Sequence, residues 1–216
     1  MFDLGWLFTW DNIRFLLGGL GMTLAVAGLS IVFSSILGLL LAFARLSPVA
    51  LIRYPAIFYI EVMRALPILL VIFFTYFALP QIGIRLSPFA AGVTAMSAFT
   101  ASLVAEIVRA GILSVNRGLV EAASAQGLTR VQTLRLIILP IALRRMMPTL
   151  VSQFITLIKD TSLTAVIGIL ELVRRAQIIY SGPPFQPIPV FALIALIYFV
   201  VNYGLSLGSR RLEQAI

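Results

Sequence analysis

The sequence predicts an all-α integral membrane protein with about five transmembrane helices, and three observations carry that prediction. The chain is 61% hydrophobic and only 11% charged, with a mean hydropathy of +1.07, far from soluble globular usage. Uncharged windows at 15–44, 65–84, 86–105 and 176–209 approach or exceed the roughly 20 residues that a bilayer core of about 30 Å requires of a helix. A fifth window, 146–158, reaches spanning length if it continues through Lys159 and Asp160 to Leu170.

The expected spans lie near Leu20–Phe43, Pro55–Phe77, Pro88–Gly111, Ala142–Ile169 and Pro189–Gly208. They form one membrane domain, residues 19–210, with a short tail at 211–216. Ahead of them, residues 1–18 read as an interfacial amphipathic segment, because Trp6 and Trp10 suit the headgroup boundary. Asp3 and Asp11 stand where a secretory leader would be basic, and no small-residue cleavage site precedes the apolar run, so no removable leader is expected. The chain has no Cys and no His, which excludes disulfides, thiol nucleophiles, imidazole bases and the common transition-metal sites.

The net charge of +8 is spread over the connections between spans, which excludes a nucleic-acid surface and instead sets orientation. With the N-terminus outside, the inner segments hold Arg45, Arg53, Arg117, Arg130, Arg135, Arg144, Arg145, Arg210 and Arg211. The outer segments hold only Arg14, Arg85, Arg174 and Arg175. Cytoplasmic loops are the ones enriched in Lys and Arg, so the C-terminus and the connection around Glu121 are expected inside.

That connection has its own grammar. Residues 119–126 favour a helix with a smooth, alanine-rich surface. Gly127 can take the left-handed conformation that ends a helix, Thr129 and Gln132 have capping-box spacing, and Pro140 is expected to mark the exit. Two short helices joined at a glycine suit a groove on another protein; an ordinary solvated loop is the alternative.

Three places carry charge into the apolar spans. Glu61 and Arg64 share a helix face, as do Glu106 and Arg109, and each pair could neutralise itself. Lys159 and Asp160 are neighbours and point about 100° apart, so each needs a partner elsewhere. Asp160, Thr161 and Ser162 are cap-type residues, so the helix is expected to break there and restart, aiming free N–H groups at a carboxylate. Lys159 bridged to another helix at a simple kink is the alternative. The chain carries no phosphate-binding Gly-x-x-x-x-Gly-Lys loop.

The spacing of Glu121, Ala122, Ala123, Gly127, Ile137, Leu139 and Pro140 resembles the EAA loop of ABC-importer permease subunits. Tyr59–Pro67, Val104–Ile112 and Ile158–Leu163 resemble the polar amino-acid branch of type I importers. The resemblance implies a type I importer fold in a prokaryotic inner membrane. Residues 115–140 would then dock on a cytoplasmic ABC ATPase present in two copies, with ATP and Mg bound on that partner and no cofactor on this chain. A second permease subunit, identical or homologous, and an extracytoplasmic solute-binding protein complete the implied assembly. The chain itself would not be an enzyme. Glu61, Arg64, Lys159, Asp160, Thr161 and Ser162 are the candidate substrate contacts. The same fold carrying another solute, or an ion-coupled carrier or channel relaying charge through Glu61, Arg64 and Asp160, are the alternatives.

Overall fold

The computed structural model describes residues 5–215, with side chains through residue 208. Asp3 and the side chains of Arg210, Arg211 and the tail lie outside the described residues. Among the described residues the chain is helical throughout: α1 (Trp10–Leu46), α2 (Ala50–Ala65), α3 (Ile68–Phe73), α4 (Pro88–Leu113), α5 (Arg117–Ala125), α6 (Arg130–Thr133), α7 (Leu139–Asp160), α8 (Leu172–Tyr180) and α9 (Pro187–Ala215). Two π-helical turns, Phe74–Ala78 and Leu134–Ile138, and two 3₁₀ turns, Leu79–Ile82 and Thr161–Ile167, complete the helical inventory.

Among the described residues, three helices, α1, α4 and the first 22 residues of α9, are long and apolar enough to cross a membrane, and α2 with Ile68–Ile82 makes a fourth if the pair counts as one span. The fifth expected span is α7, a helix of 22 residues that is not among those long and apolar enough to cross a membrane; it carries Arg144, Arg145, Lys159 and Asp160.

Local chemistry explains the boundaries. The Thr9 hydroxyl accepts from the Asn12 N–H at 3.4 Å, opening α1, and Asp11 suits the positive end of the helix dipole. Its far end stops at Ser47, in extended backbone, because the following Pro48 disfavours the helical region for the residue before it. Ser87 caps α4 by accepting from Ala90 at 3.2 Å, with Pro88 at the first helical position, where no N–H is needed. α1 is unbroken from Trp10, so residues 10–18 form its opening turns. Trp6 packs into the core beside them, and its carbonyl accepts from the Asn12 side chain at 2.8 Å.

One expected span is corrected. Pro55–Phe77 is not a single helix: the chain bends by 108° between α2 and α3. Leu66 is extended, with φ −90 and ψ 144, as a residue before proline prefers, and Pro67 opens α3 instead of continuing α2.

The core forms three layers along the bundle. Ala42, Ile60, Val104, Val108 and Met146 fill one end. Val26, Val71, Met96, Leu157 and Ile167 fill the middle, and Leu7, Leu16, Leu172, Val190 and Ile194 the other end. The α1–α4 interface is the most extensive. It is built from small residues: Ala27, Ser30, Ser34, Gly38 and Ala42 are buried on α1, against Ala95, Ala101 and Ala105 among others on α4. Small side chains let two backbones approach where lipid offers no hydrophobic drive to associate. At Gly38 the approach is closest, since a Cβ there would stand 2.6 Å from Val104 Cγ1 and 2.9 Å from the Ala101 carbonyl oxygen.

Candidate functional site

The connection between α4 and α7 is a folded, exposed element. Asn116 caps α5, its side-chain oxygen accepting from Gly118 at 2.8 Å. Gly127 takes φ +85, and the Leu128 N–H returns to the Ala123 carbonyl at 3.1 Å, which closes the helix end. The capping box is present: Gln132 N–H donates to the Thr129 hydroxyl at 3.3 Å, and Thr129 N–H donates to the Gln132 side chain at 2.8 Å. Glu121, Ala122, Gln126 and Gly127 are exposed. Leu119, Val131 and Leu136 stand exposed as well, at 48%, 73% and 60%. Ala123 turns inward and is buried, so the smooth outer surface consists of Ala122 and Ala125.

Pro140 does not end the second helix, which corrects the sequence reading. α6 passes through the π-helical turn Leu134–Ile138 directly into α7, where Pro140 lies in the first turn. A proline inside a helix lacks a donor and crowds the carbonyl four residues back, and the wider π turn accommodates both faults. Ile137 and Leu139, half-buried in this stretch, therefore belong to a continuous helical run. Arg145 donates to the carbonyl and hydroxyl oxygens of Ser114 at the end of α4. A cation there satisfies terminal carbonyls and complements the helix dipole, and it pins α7 to α4 beside the exposed segment.

Glu61 and Arg64 join a charged cluster drawn from three helices. Arg45 of α1 reaches Glu61 at 2.9 Å and Glu106 of α4 at 3.0 Å. Arg109 forks onto Glu106 through Nε at 3.1 Å and Nη2 at 2.9 Å, while Arg64 lies 3.8 Å from Glu106. The expected self-neutralisation holds for Glu106 and Arg109; Glu61 and Arg64 instead pair outward, each with a neighbouring helix. Charged groups within a membrane bundle require partners, which this cluster supplies. Glu61 remains 54% exposed and Arg64 42%.

Lys159, Asp160, Thr161 and Ser162 lie elsewhere, where α7 ends against the middle core layer. No ion pair or hydrogen bond among the described residues links them to the cluster. The expected helix break with free N–H groups is absent. The Thr161 N–H bonds back to the Leu157 and Lys159 carbonyls, and α7 tightens into a 3₁₀ turn that ends at Gly168, φ +86. Thr161, fully buried, donates its hydroxyl to the Ile158 carbonyl at 2.7 Å, and Ser162 donates to that of Lys159 at 2.8 Å. Backbone continuity and these side-chain bonds occupy the Thr161 N–H and the Thr161 and Ser162 hydroxyls, but not the Lys159 ammonium that the sequence reading also assigned to a substrate.

The restart comes later, at a residue the sequence reading passed over. Glu171, fully buried, caps α8 by accepting from Val173 at 2.9 Å and Arg174 at 2.6 Å. The Tyr198 hydroxyl of α9 donates to the same carboxylate at 3.4 Å, and Leu172 N–H donates to the Thr23 hydroxyl of α1 at 3.2 Å. Next to it, Arg175 lies over Gly18 and Gly19, donating to the Phe15 carbonyl at 2.8 Å. The signal available in the sequence was a lone acid just ahead of Leu172–Tyr180, at the cap position.

Residues 34–216 match the family model described as "Binding-protein-dependent transport system inner membrane component". The chain belongs to this family. As a permease it is 47% identical over 205 residues to the probable glutamine ABC transporter permease protein GlnP of Bacillus subtilis (strain 168), covering 94% of each chain. It is 40% identical to the glutamine transport system permease protein GlnP of Escherichia coli (strain K12), covering 97% of this chain and 96% of that one. The crystal structure of an amino acid ABC transporter with histidines superposes with a TM-score of 0.91 at 33% identity, covering 95% and 96% of the two chains. The permease therefore has the type I importer fold and is a multi-pass membrane protein.

Proposed function

We propose that this permease forms the translocation pathway of an ATP-driven importer for polar amino acids, glutamine among them. The N-terminus faces outside, the C-terminus faces the cytoplasm, and the protein resides in a prokaryotic inner membrane. Two permease subunits, identical or homologous, line the pathway, two ABC ATPase subunits bind ATP and Mg beneath them, and an extracytoplasmic binding protein delivers substrate. The observation that carries this reading is the α5–Gly127–α6 segment. It is exposed and internally capped, and its second helix, α6, runs on into α7, so a partner docked on this segment has a helical connection into the membrane.

The substrate contacts are Glu61 and Arg64, a solvent-exposed carboxylate and guanidinium on one helix face that would have to exchange their contacts with Arg45 and Glu106 for the ammonium and carboxylate of an amino acid. A second placement, at Lys159 and Asp160 with Thr161 and Ser162 beside them, is supported by one observation: neither Lys159 nor Asp160 has an ion-pair partner among the described residues. The function is tested in vesicles holding the permease, its ATPase and the binding protein. Labelled glutamine should enter only with ATP and binding protein present. Uptake driven by an ion gradient without ATP would instead establish the relay through Glu61, Arg64 and Asp160. Asp160→Asn, which removes a charge at nearly constant shape, separates the two placements: it should spare uptake if the substrate sits at Glu61 and Arg64.

A further inference from the structure

The antiparallel crossing of α4 and α7 leaves an open groove of about 430 Å³ at the end of the bundle that carries the α5–α6 connection. Two contacts fix its register. Arg145 donates to the carbonyl and hydroxyl oxygens of Ser114, and a Cβ on Gly111 would stand 3.0 Å from the Met146 Cβ. Ser114 and Arg145 therefore mark the mouth. Ile107 lies seven residues before Ser114 and Thr149 four after Arg145, which sets them about 6–10 Å deeper along the helices. The walls are mixed: Ile107, Ala110 and Met146 supply apolar surface, and Arg109, Arg145, Ser114 and Thr149 supply donors. The two cations are met differently. Arg109 grips Glu106 through Nε and Nη2. Arg145 has only neutral acceptors, both on Ser114 and both reached through Nη1, and no ion pair among the described residues joins it to a carboxylate.

We propose that this groove binds an anionic glycerophospholipid of the surrounding bilayer, with the phosphodiester headgroup on Arg145 and an acyl chain against Ile107 and Ala110. Three observations select that occupant. A guanidinium with unused Nε and Nη2 donors presents the fork that phosphate oxygens accept. The groove lies in the last turns of α4, a helix long and apolar enough to span, where a bilayer's headgroups begin; basic pockets between membrane helices on the cytoplasmic side hold such headgroups. The walls are apolar below the cation, which suits a lipid, whereas a free phosphate ester would leave Ile107 and Ala110 uncovered. The site is independent of where the amino acid crosses. It shares Arg145 and Ser114 with the tie between α7 and α4, so a bound headgroup sits at the joint from which the α5–α6 connection springs.

The test measures binding of phosphatidylglycerol, and of phosphatidylcholine with the same acyl chains, to the purified full-length permease in detergent by native mass spectrometry. The parent should prefer phosphatidylglycerol, and added salt should weaken the preference. Arg145→Gln should cut that preference by about fivefold, the size expected of one basic residue at an anionic lipid surface, and Arg145→Lys should keep most of it. Ala110→Phe fills the groove without touching a charge and should weaken phosphatidylglycerol binding as well. Equal affinity of the parent for the two lipids overturns the proposal, as does an undiminished preference in folded Arg145→Gln. If Arg145→Gln fails to fold, Ala110→Phe decides: parental affinity for phosphatidylglycerol there overturns the site equally. Glycerol 3-phosphate separates the sources of the phosphate. It should not displace the lipid at concentrations where phosphatidylglycerol saturates, and displacement as effective as by the lipid itself would make this a site for soluble anions and overturn the lipid assignment.

Discussion

Replacing Gly38 with alanine adds one methyl group where α1 crosses α4. That carbon would stand 2.6 Å from Val104 Cγ1, 2.7 Å from Val104 Cβ and 2.9 Å from the Ala101 carbonyl oxygen. Comfortable contact lies at about 3.5–4.0 Å, so the helices must separate locally by about 1 Å. Intrinsic helix propensity favours alanine over glycine by up to about 1 kcal/mol, which makes the sign informative. Overpacking of this kind costs about 1–3 kcal/mol, and we expect it to prevail, because one of the three obstacles is backbone. Gly28, on the same helix with no atom within 4 Å of its added Cβ, supplies the control, and Gly28→Ala should be neutral or stabilising. The assay is unfolding of purified protein in detergent, read by thermal or SDS titration. The companion Val104→Ala removes the Cγ1 obstacle but leaves the other two, so the double variant should recover only part of the loss. A Gly38→Ala protein as stable as the parent, or full recovery in the double variant, would refute the close-approach argument.

Three further outcomes follow from the same geometry. Gly127→Val forces a β-branched residue into φ +85, at a cost of about 1–2 kcal/mol, and should abolish stimulated ATPase activity while membrane insertion persists; normal stimulation in purified complexes would sink the docking assignment. Cysteines placed at Arg85 and Ser124, both exposed, give a clean labelling test in a chain without native cysteine, with the first expected to react with an impermeant reagent from outside and the second only after the membrane is opened. Glu171→Ala leaves the opening N–H groups of α8 and the Tyr198 hydroxyl without their acceptor, a loss of about 2–4 kcal/mol, whereas Glu171→Gln should retain much of the stability; equal melting of the two variants would count against the cap.

What the sequence disclosed divides by distance along the chain. Gly127 and the Thr129–Gln132 box were readable because their chemistry is satisfied within three or four residues. The prolines were harder, since each depends on its surroundings. Pro67 breaks the chain amid an uninterrupted apolar run, where hydropathy alone predicts one helix. Pro140, which looks like a terminator, is absorbed by a π turn that no composition signals. The charged cluster was half legible. Glu106 with Arg109 follows from helical spacing, but Arg45 meeting both Glu61 and Glu106 requires knowing how three helices cross. The same holds for the head of α8, where Glu171 meets Tyr198 and Leu172 meets Thr23, on helices far apart in sequence.

The passage from α6 through the π turn into α7 contains no loop, and this bears on how displacement travels. A loop stores movement as slack, whereas a continuous helical run transmits it, even one that lacks the N–H donors of Pro140 and Pro148. Between Thr129 and Asp160 the run is helical over roughly 45 Å, tied along its length to Ser114 by Arg145. The compliant joints fall on the other side of the docking element, at Gly127 and at Ser114–Asn116. α5 can thus settle against a partner without strain, while any thrust delivered to α6 has one stiff route to follow, into the membrane.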